Sequence, residues 1–167
     1  MSAVISPCGK YRYSLSRSLL KFEPEKELEK SATIKPIVFV MLNPSTADET
    51  TDDPTIRKCM GFGERWGGSE LIVVNLYAFR ATDPRELLWQ SDPIGSENWK
   101  YIDEALTRAN YFGGIVVGAW GAFEVGAALQ KSGLARKIGL RCLGKNKNGS
   151  PKHPLYVPYS QQLEVWP

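Results

Sequence analysis

A chain of 167 residues, 43% hydrophobic and 23% charged, has the size and composition of one globular domain that buries a sizeable core without a disulfide or a cofactor. Its formal charge of +3 permits contact with nucleic acid but excludes a dedicated DNA-coating protein, and the lack of a long apolar run or a signal-like start excludes a membrane protein. Cys8, Cys59 and Cys142 are odd in number, far apart and without metal-ligand spacing, so they read as reduced thiols of a cytoplasmic protein with no zinc or iron-sulfur site.

Residues 1–35 alternate weakly around Tyr11, Tyr13 and Leu15 and then meet a charged stretch from Lys21 to Lys30, which predicts an edge strand and a surface loop decorating the sheet. Ile37-Val38-Phe39-Val40-Met41-Leu42 is apolar throughout, too short for a helix and stopped by Asn43-Pro44, the pattern of a strand covered on both faces. Asp53-Pro54 offers an N-cap followed by proline at the first helical position, and Ile56, Cys59, Met60 and Phe62 supply a partial apolar stripe. Leu71-Ile72-Val73-Val74 repeats the buried-strand pattern and ends at Asn75. Asp83-Pro84 then repeats the capping signal before Leu87, Leu88 and Trp89. From Glu97 to Tyr111 the spacing of Ile102, Ala105, Leu106 and Ala109 predicts an amphipathic helix leading into a strand at Ile115-Val116-Val117. Gly121 to Lys131 reads as the next helix, ended by Ser132-Gly133, and Ile138 to Leu143 as a fourth strand.

Alternating strands and helices on short connections imply right-handed crossovers and a parallel sheet. The expectation is a single α/β domain over residues 1–167, a three-layer α/β/α sandwich around a central four-stranded, mainly parallel sheet. Such sheets bind ligands outside the carboxyl ends of their strands. The polar punctuation falls there: Asn43 follows the first buried strand, Asn75 closes the second, Trp120-Gly121 follows the third, and the loop with His153 follows the fourth. An asparagine at a strand end is also an ordinary turn device. Two of them, joined by the only histidine of the chain, point to a site.

Met41-Leu42-Asn43-Pro44-Ser45-Thr46-Ala47-Asp48, Asp52-Asp53-Pro54-Thr55-Ile56, Asn75-Leu76 with Phe79-Arg80-Ala81-Thr82-Asp83-Pro84, Ala119-Trp120-Gly121 and His153-Pro154-Leu155-Tyr156 resemble, over nearly the whole chain, the signature of domain-of-unknown-function family 1643 (DUF1643). The order of the same motifs is more distantly similar to the uracil-DNA glycosylase superfamily. There a first strand runs into an Asn-Pro loop that holds the hydrolytic water, and a second ends in an asparagine that reads a base edge. A third runs into Trp-Gly, and a late His-Pro carries an electrophilic histidine. Met41 stands here where that superfamily has the first glycine of its loop, and Leu155-Tyr156 follow His-Pro in place of Ser-Pro.

This second resemblance implies a glycosylase-like hydrolase that cleaves the N-glycosidic bond of a modified or unusual nucleobase, in DNA or in a nucleotide, with no cofactor and no metal. The expected catalytic residues are Asn43, which orients water, His153, which donates to the departing base, and Asp48 as a nearby carboxylate. Expected substrate contacts are Pro44, Ser45, Asn75, Arg80, Trp120, Gly121 and Tyr156. Plainer roles stand beside these: Asp53 as a helix cap, Asp48 as a solvated loop residue, Arg80 in an ion pair, the Trp120 ring in the core, and Leu155 as an anchor on the sheet. The alternative from another class is a non-catalytic module that keeps the pocket and binds a base, a nucleotide or a partner.

Overall fold

A computed structural model of the chain describes residues 2–20, 34–45, 47–48, 50–123 and 139–166. Its strands are β1 (Ser2–Ile5), β2 (Arg12–Ser18), β3 (Pro36–Met41), β4 (Glu70–Asn75), β5 (Ile115–Gly118), β6 (Arg141–Cys142) and β7 (Glu164–Val165). The α-helices are α1 (Pro54–Arg65) and α2 (Asn98–Tyr111), and short 3-10 helices span Pro84–Trp89 and Pro154–Tyr156. All strands join one sheet in the order β1-β2-β4-β3-β5-β6-β7.

Every residue of β3 is buried, as an apolar run covered on both faces requires. Its alternate side chains serve two cores. Ile37, Phe39 and Met41 pack with Leu71, Val73 and the α1 residues Ile56, Cys59 and Phe62. Val38 and Val40 pack with Ile72, Val74 and the α2 residues Ile102, Ala105, Leu106 and Ala109. The sheet therefore lies between α1 and α2. From β3 the chain runs through α1 to β4 on one side, then through α2 past β3 to β5 on the other. Crossovers of one hand running in opposite directions put their helices on opposite faces.

The sheet corrects the expected one. It has seven strands among the described residues where a central four and an N-terminal edge strand were expected; the central four form its middle, and the N-terminal strand is β2, with β1 outside it. The pairings among β4, β3, β5 and β6 are parallel, whereas those that add β1, β2 and β7 are antiparallel, so the sheet is mixed. Physical causes are plain: Ser2–Ile5 and Glu164–Val165 are short edge segments, half or fully exposed, with no apolar run to mark them.

Both α-helices begin close to where their signals fall. Asp53 caps α1, its carboxylate accepting the Ile56 N–H at 2.8 Å with Pro54 at the first position. The Asp83-Pro84 signal builds only a 3-10 helix, whose sole buried residue is Leu87, because no apolar stripe continues the turn. Gly121 opens a turn in place of the expected helix, with φ +79, and most of that helix lies outside the described residues, as does the charged stretch Lys21 to Lys30. Of the expected fourth strand, Arg141–Cys142 is strand and Ile138 lies outside the described residues. Among the described residues, no helix is long and apolar enough to cross a membrane.

Candidate functional site

The strand order switches sides about β3, with β4 on one flank and β5 on the other, and a crevice opens at the carboxyl ends of these parallel strands, as open α/β sheets dictate. It is a cleft of about 670 Å³. Asn43, Ser45, Asn75, Trp120, Gly121, His153 and Tyr156 all line it. Pro44, Asp48 and Arg80 do not.

Asn75 ends β4 on the face toward α1 and is only 1% exposed. Its main-chain carbonyl accepts a hydrogen bond from Asn98 Nδ2 at 2.9 Å, so the strand end is held from behind. Its side chain has no such partner. Both Oδ1 and Nδ2 are buried at the cleft and bonded to nothing among the described residues. An amide so placed is a ready recognition group, an acceptor and a donor on one plane.

Asn43 is fixed differently. Its Nδ2 donates to the carbonyls of Ala81 at 2.8 Å and Pro44 at 3.1 Å. The Pro44 carbonyl also accepts the Ala81 N–H at 3.0 Å, so the loop after β3 and the loop after β4 are sewn together. Pro44 thus ties the two loops together, and Asn43, which lines the cleft, has no described hydrogen-bond partner for its Oδ1.

His153 is half-buried and precedes the 3-10 helix Pro154–Tyr156. Its Nδ1 accepts the Leu155 N–H at 3.3 Å, which requires that nitrogen to be unprotonated. Burial lowers the imidazole's pKa, with Asp53 pulling weakly the other way. A neutral ring with its proton on Nε2 follows, a donor rather than a base. The Gly121 N–H donates to the Pro151 carbonyl at 3.1 Å, and a Cβ at Gly121 would sit 3.5 Å from His153 Cβ, so the turn after β5 is pressed against the histidine loop. Trp120 is 2% exposed, its ring edge-on to Trp166 at 5.0 Å in the core above α2. Tyr156 is 82% exposed at the mouth.

Asp48 accepts the N–H groups of Thr50 and Thr51 at 2.9 and 2.8 Å and the Thr50 hydroxyl at 3.1 Å, and these bonds lower its pKa. It organises its own loop. Arg80 donates from Nη1 to the Gly9 carbonyl at 3.4 Å, toward the N-terminal segment.

Of the lining residues outside the expected set, Asp53 and Arg12 bear most on the electrostatics of the cleft. Asp53 is the only carboxylate on the cleft wall among the described residues, and it acts electrostatically on both His153 and Arg12. Arg12 comes from β2, is 2% exposed, and donates from Nη1 to the Ala47 carbonyl at 2.7 Å. Burial lowers its pKa to about 10, with Asp53 opposing, so it stays charged at neutral pH. Arg12 lies in a weakly alternating edge segment, where a basic residue reads as solvent-facing; the nearest hint was the acidic loop Asp48-Asp52-Asp53. Among the described residues, no three His, Cys, Asp or Glu side chains are grouped to hold a metal ion.

Residues 12–155 match the model of a family described as a protein of unknown function, DUF1643. No curated protein and no solved structure matches the chain.

Proposed function

The chain belongs to the DUF1643 family, a kinship that carries no activity, and from its cleft we propose a glycosylase-like hydrolase that cleaves the N-glycosidic bond of a modified or unusual nucleobase. The observation that carries this reading is Asn75. A planar amide, buried and unbonded at the floor of a cleft of about 670 Å³, suits the paired donor and acceptor on the edge of a nucleobase. Leaving it unpaired costs stability that the edge of a bound base would repay.

The other residues take the remaining tasks. As the C1′–N bond breaks, its electron pair leaves with the base, and the Nε2–H of His153 donates to the base oxygen that gains charge. The sugar passes through an oxocarbenium-like state. Water held by the free Asn43 oxygen attacks it, the new C1′–O bond forms, and the water's proton passes to Asp53, whose Oδ1 already caps α1 while Oδ2 has no described partner. The order of the Asn-Pro, strand-end Asn, Trp-Gly and His-Pro motifs, resembling the uracil-DNA glycosylase superfamily, supports the same assignment, as does their convergence on one cleft.

The test is release of free base from a panel of modified DNAs and nucleotides, followed by chromatography. Release by the wild type, abolished in Asn43→Ala and His153→Ala, supports the hydrolase. One observation favours a second reading: Asp53, the sole cleft carboxylate among the described residues, is engaged as a helix cap, and Asn43 is an amide of negligible basicity. A pure binding module would release nothing, yet a nucleotide would raise its melting temperature in an Asn75- and His153-dependent way.

A further inference from the structure

Two arginines project from β2 toward the loop between β3 and α1, and both are essentially inaccessible to solvent. Arg17 is saturated. Its Nε bonds Asp52 at 2.8 Å, its Nη1 bonds the carbonyls of Ser16 and Ser2 at 2.9 and 3.3 Å, and its Nη2 bonds the carbonyl of Asp48. Arg12 is not. Among the described residues only Nη1 finds a partner, the Ala47 carbonyl, and Nε is buried and unbonded. Nη2 likewise makes no hydrogen bond to a described residue, and Arg12 forms no ion pair with one. Of the two, only Arg12 lines the cleft.

A buried guanidinium with its Nε and Nη2 edge unoccupied is costly unless something meets it. That edge presents two parallel N–H groups, the fork that accepts two oxygens of one oxyanion. The first turn of α1 adds Thr55 and Ile56 to the same wall, with the positive end of the helix dipole, and Lys152 adds a cation at the rim. Asp53 stands close by and reduces the local positive charge without pairing with Arg12.

Resting on the base-binding reading of the cleft, we infer that Arg12 is the anchor of a phosphoryl subsite, so that the ligand is a phosphorylated nucleoside unit and not a neutral nucleoside. The phosphoryl group belongs either to a free nucleotide or to a nucleic-acid backbone. Both present paired oxygens to the fork.

Isothermal titration distinguishes the cases, using the four 2′-deoxynucleosides and the modified nucleosides of the base-release panel, the 5′-monophosphate of each, five-nucleotide single strands carrying the same bases and inorganic phosphate alone. With the wild type, phosphorylated ligands bind about tenfold or more tighter than nucleosides, as a charge-assisted pair of hydrogen bonds provides. Arg12→Gln erases this advantage, and Arg12→Lys, which keeps the charge but not the fork, restores only part of it. Circular dichroism checks that the variants fold; should they not, the wild-type comparison and competition by inorganic phosphate decide. A stronger response to the single strand assigns the backbone as source, and a stronger response to the monophosphate assigns the free nucleotide. Nucleosides binding as tightly as monophosphates, in an Asn75-dependent way, would overturn the subsite and leave the base reading standing. Arg12-dependent binding of inorganic phosphate without any nucleoside or nucleotide preference would support the subsite and overturn the base reading. No binding of any of these ligands would overturn both.

Discussion

A strand that ends in a buried, unbonded amide gives up about 1–3 kcal/mol relative to one that ends in a well-packed apolar side chain, and Asn75 is such an ending. Asn75→Leu is therefore expected to leave the melting temperature unchanged or to raise it by a few degrees, about the shift that this energy produces in a domain of this size. The same substitution should abolish ligand-induced stabilisation. A marked fall in melting temperature would show the amide to be structurally satisfied and would remove the main support for recognition. His153 makes the second residue-scale prediction. Because burial lowers its folded pKa below the ordinary 6.5, the unfolded chain binds more protons between the two values. Stability should be independent of this group above about pH 6.5, fall as the pH drops toward the folded pKa, and fall no further below it. Protonation of Nδ1 also breaks the bond from the Leu155 N–H. Denaturant titrations across this range should show the slope in the wild type and lose that component in His153→Gln. Asn43, Asn75 and His153 were legible in the sequence as polar stops after apolar runs or as the single histidine. Arg12 was not, because its burial depends on a loop some thirty-five residues later in the chain folding over it.

At the scale of elements, α1 has two duties at one residue. Asp53 both caps the helix and supplies the cleft's carboxylate, and the two roles separate chemically. Asp53→Ala loses both, with an expected cost of about 1 kcal/mol in stability. Asp53→Asn keeps a capping oxygen, so its stability should stay near the wild type, while the loss of negative charge should lower the His153 pKa further, read from the imidazole resonances across a pH titration. Base release in Asp53→Asn equal to the wild type would exclude the carboxylate from proton transfer. The start of α1 and the boundaries of α2, β3 and β4 were readable because a cap, a stripe or an uninterrupted apolar run marks each one. β6 and β7 were not readable at their true lengths. A strand of two residues has no period, and only its neighbour in the sheet defines it.

Across the whole molecule, order should decline outward from the β3 and β4 pair. These strands are buried on both faces and flanked on both sides, whereas β1 and β7 are short edges with exposed residues. Native-state hydrogen exchange is expected to place the amides of Val38 to Val40 and Ile72 to Val74 near the global unfolding limit. Those of Glu164 and Val165 should exchange through local opening. Equal protection throughout would contradict this gradient. The layered α/β plan was legible because alternating strand and helix signals permit few topologies, but the antiparallel additions on both margins came from contacts remote in sequence.

β2 carries Arg12 and Arg17, and through them it grips the carbonyls of Ala47 and Asp48 and the carboxylate of Asp52. Its partner on the inner side is β4, made more than fifty residues later. During synthesis, β2 leaves the ribosome before β4, so its inner edge must wait until β4 has emerged. The loop that walls the cleft cannot be clamped before then. The cleft wall is thus completed late, when β2 closes onto a strand made after it, and any delay in that closure leaves an open strand edge beside two uncompensated arginines.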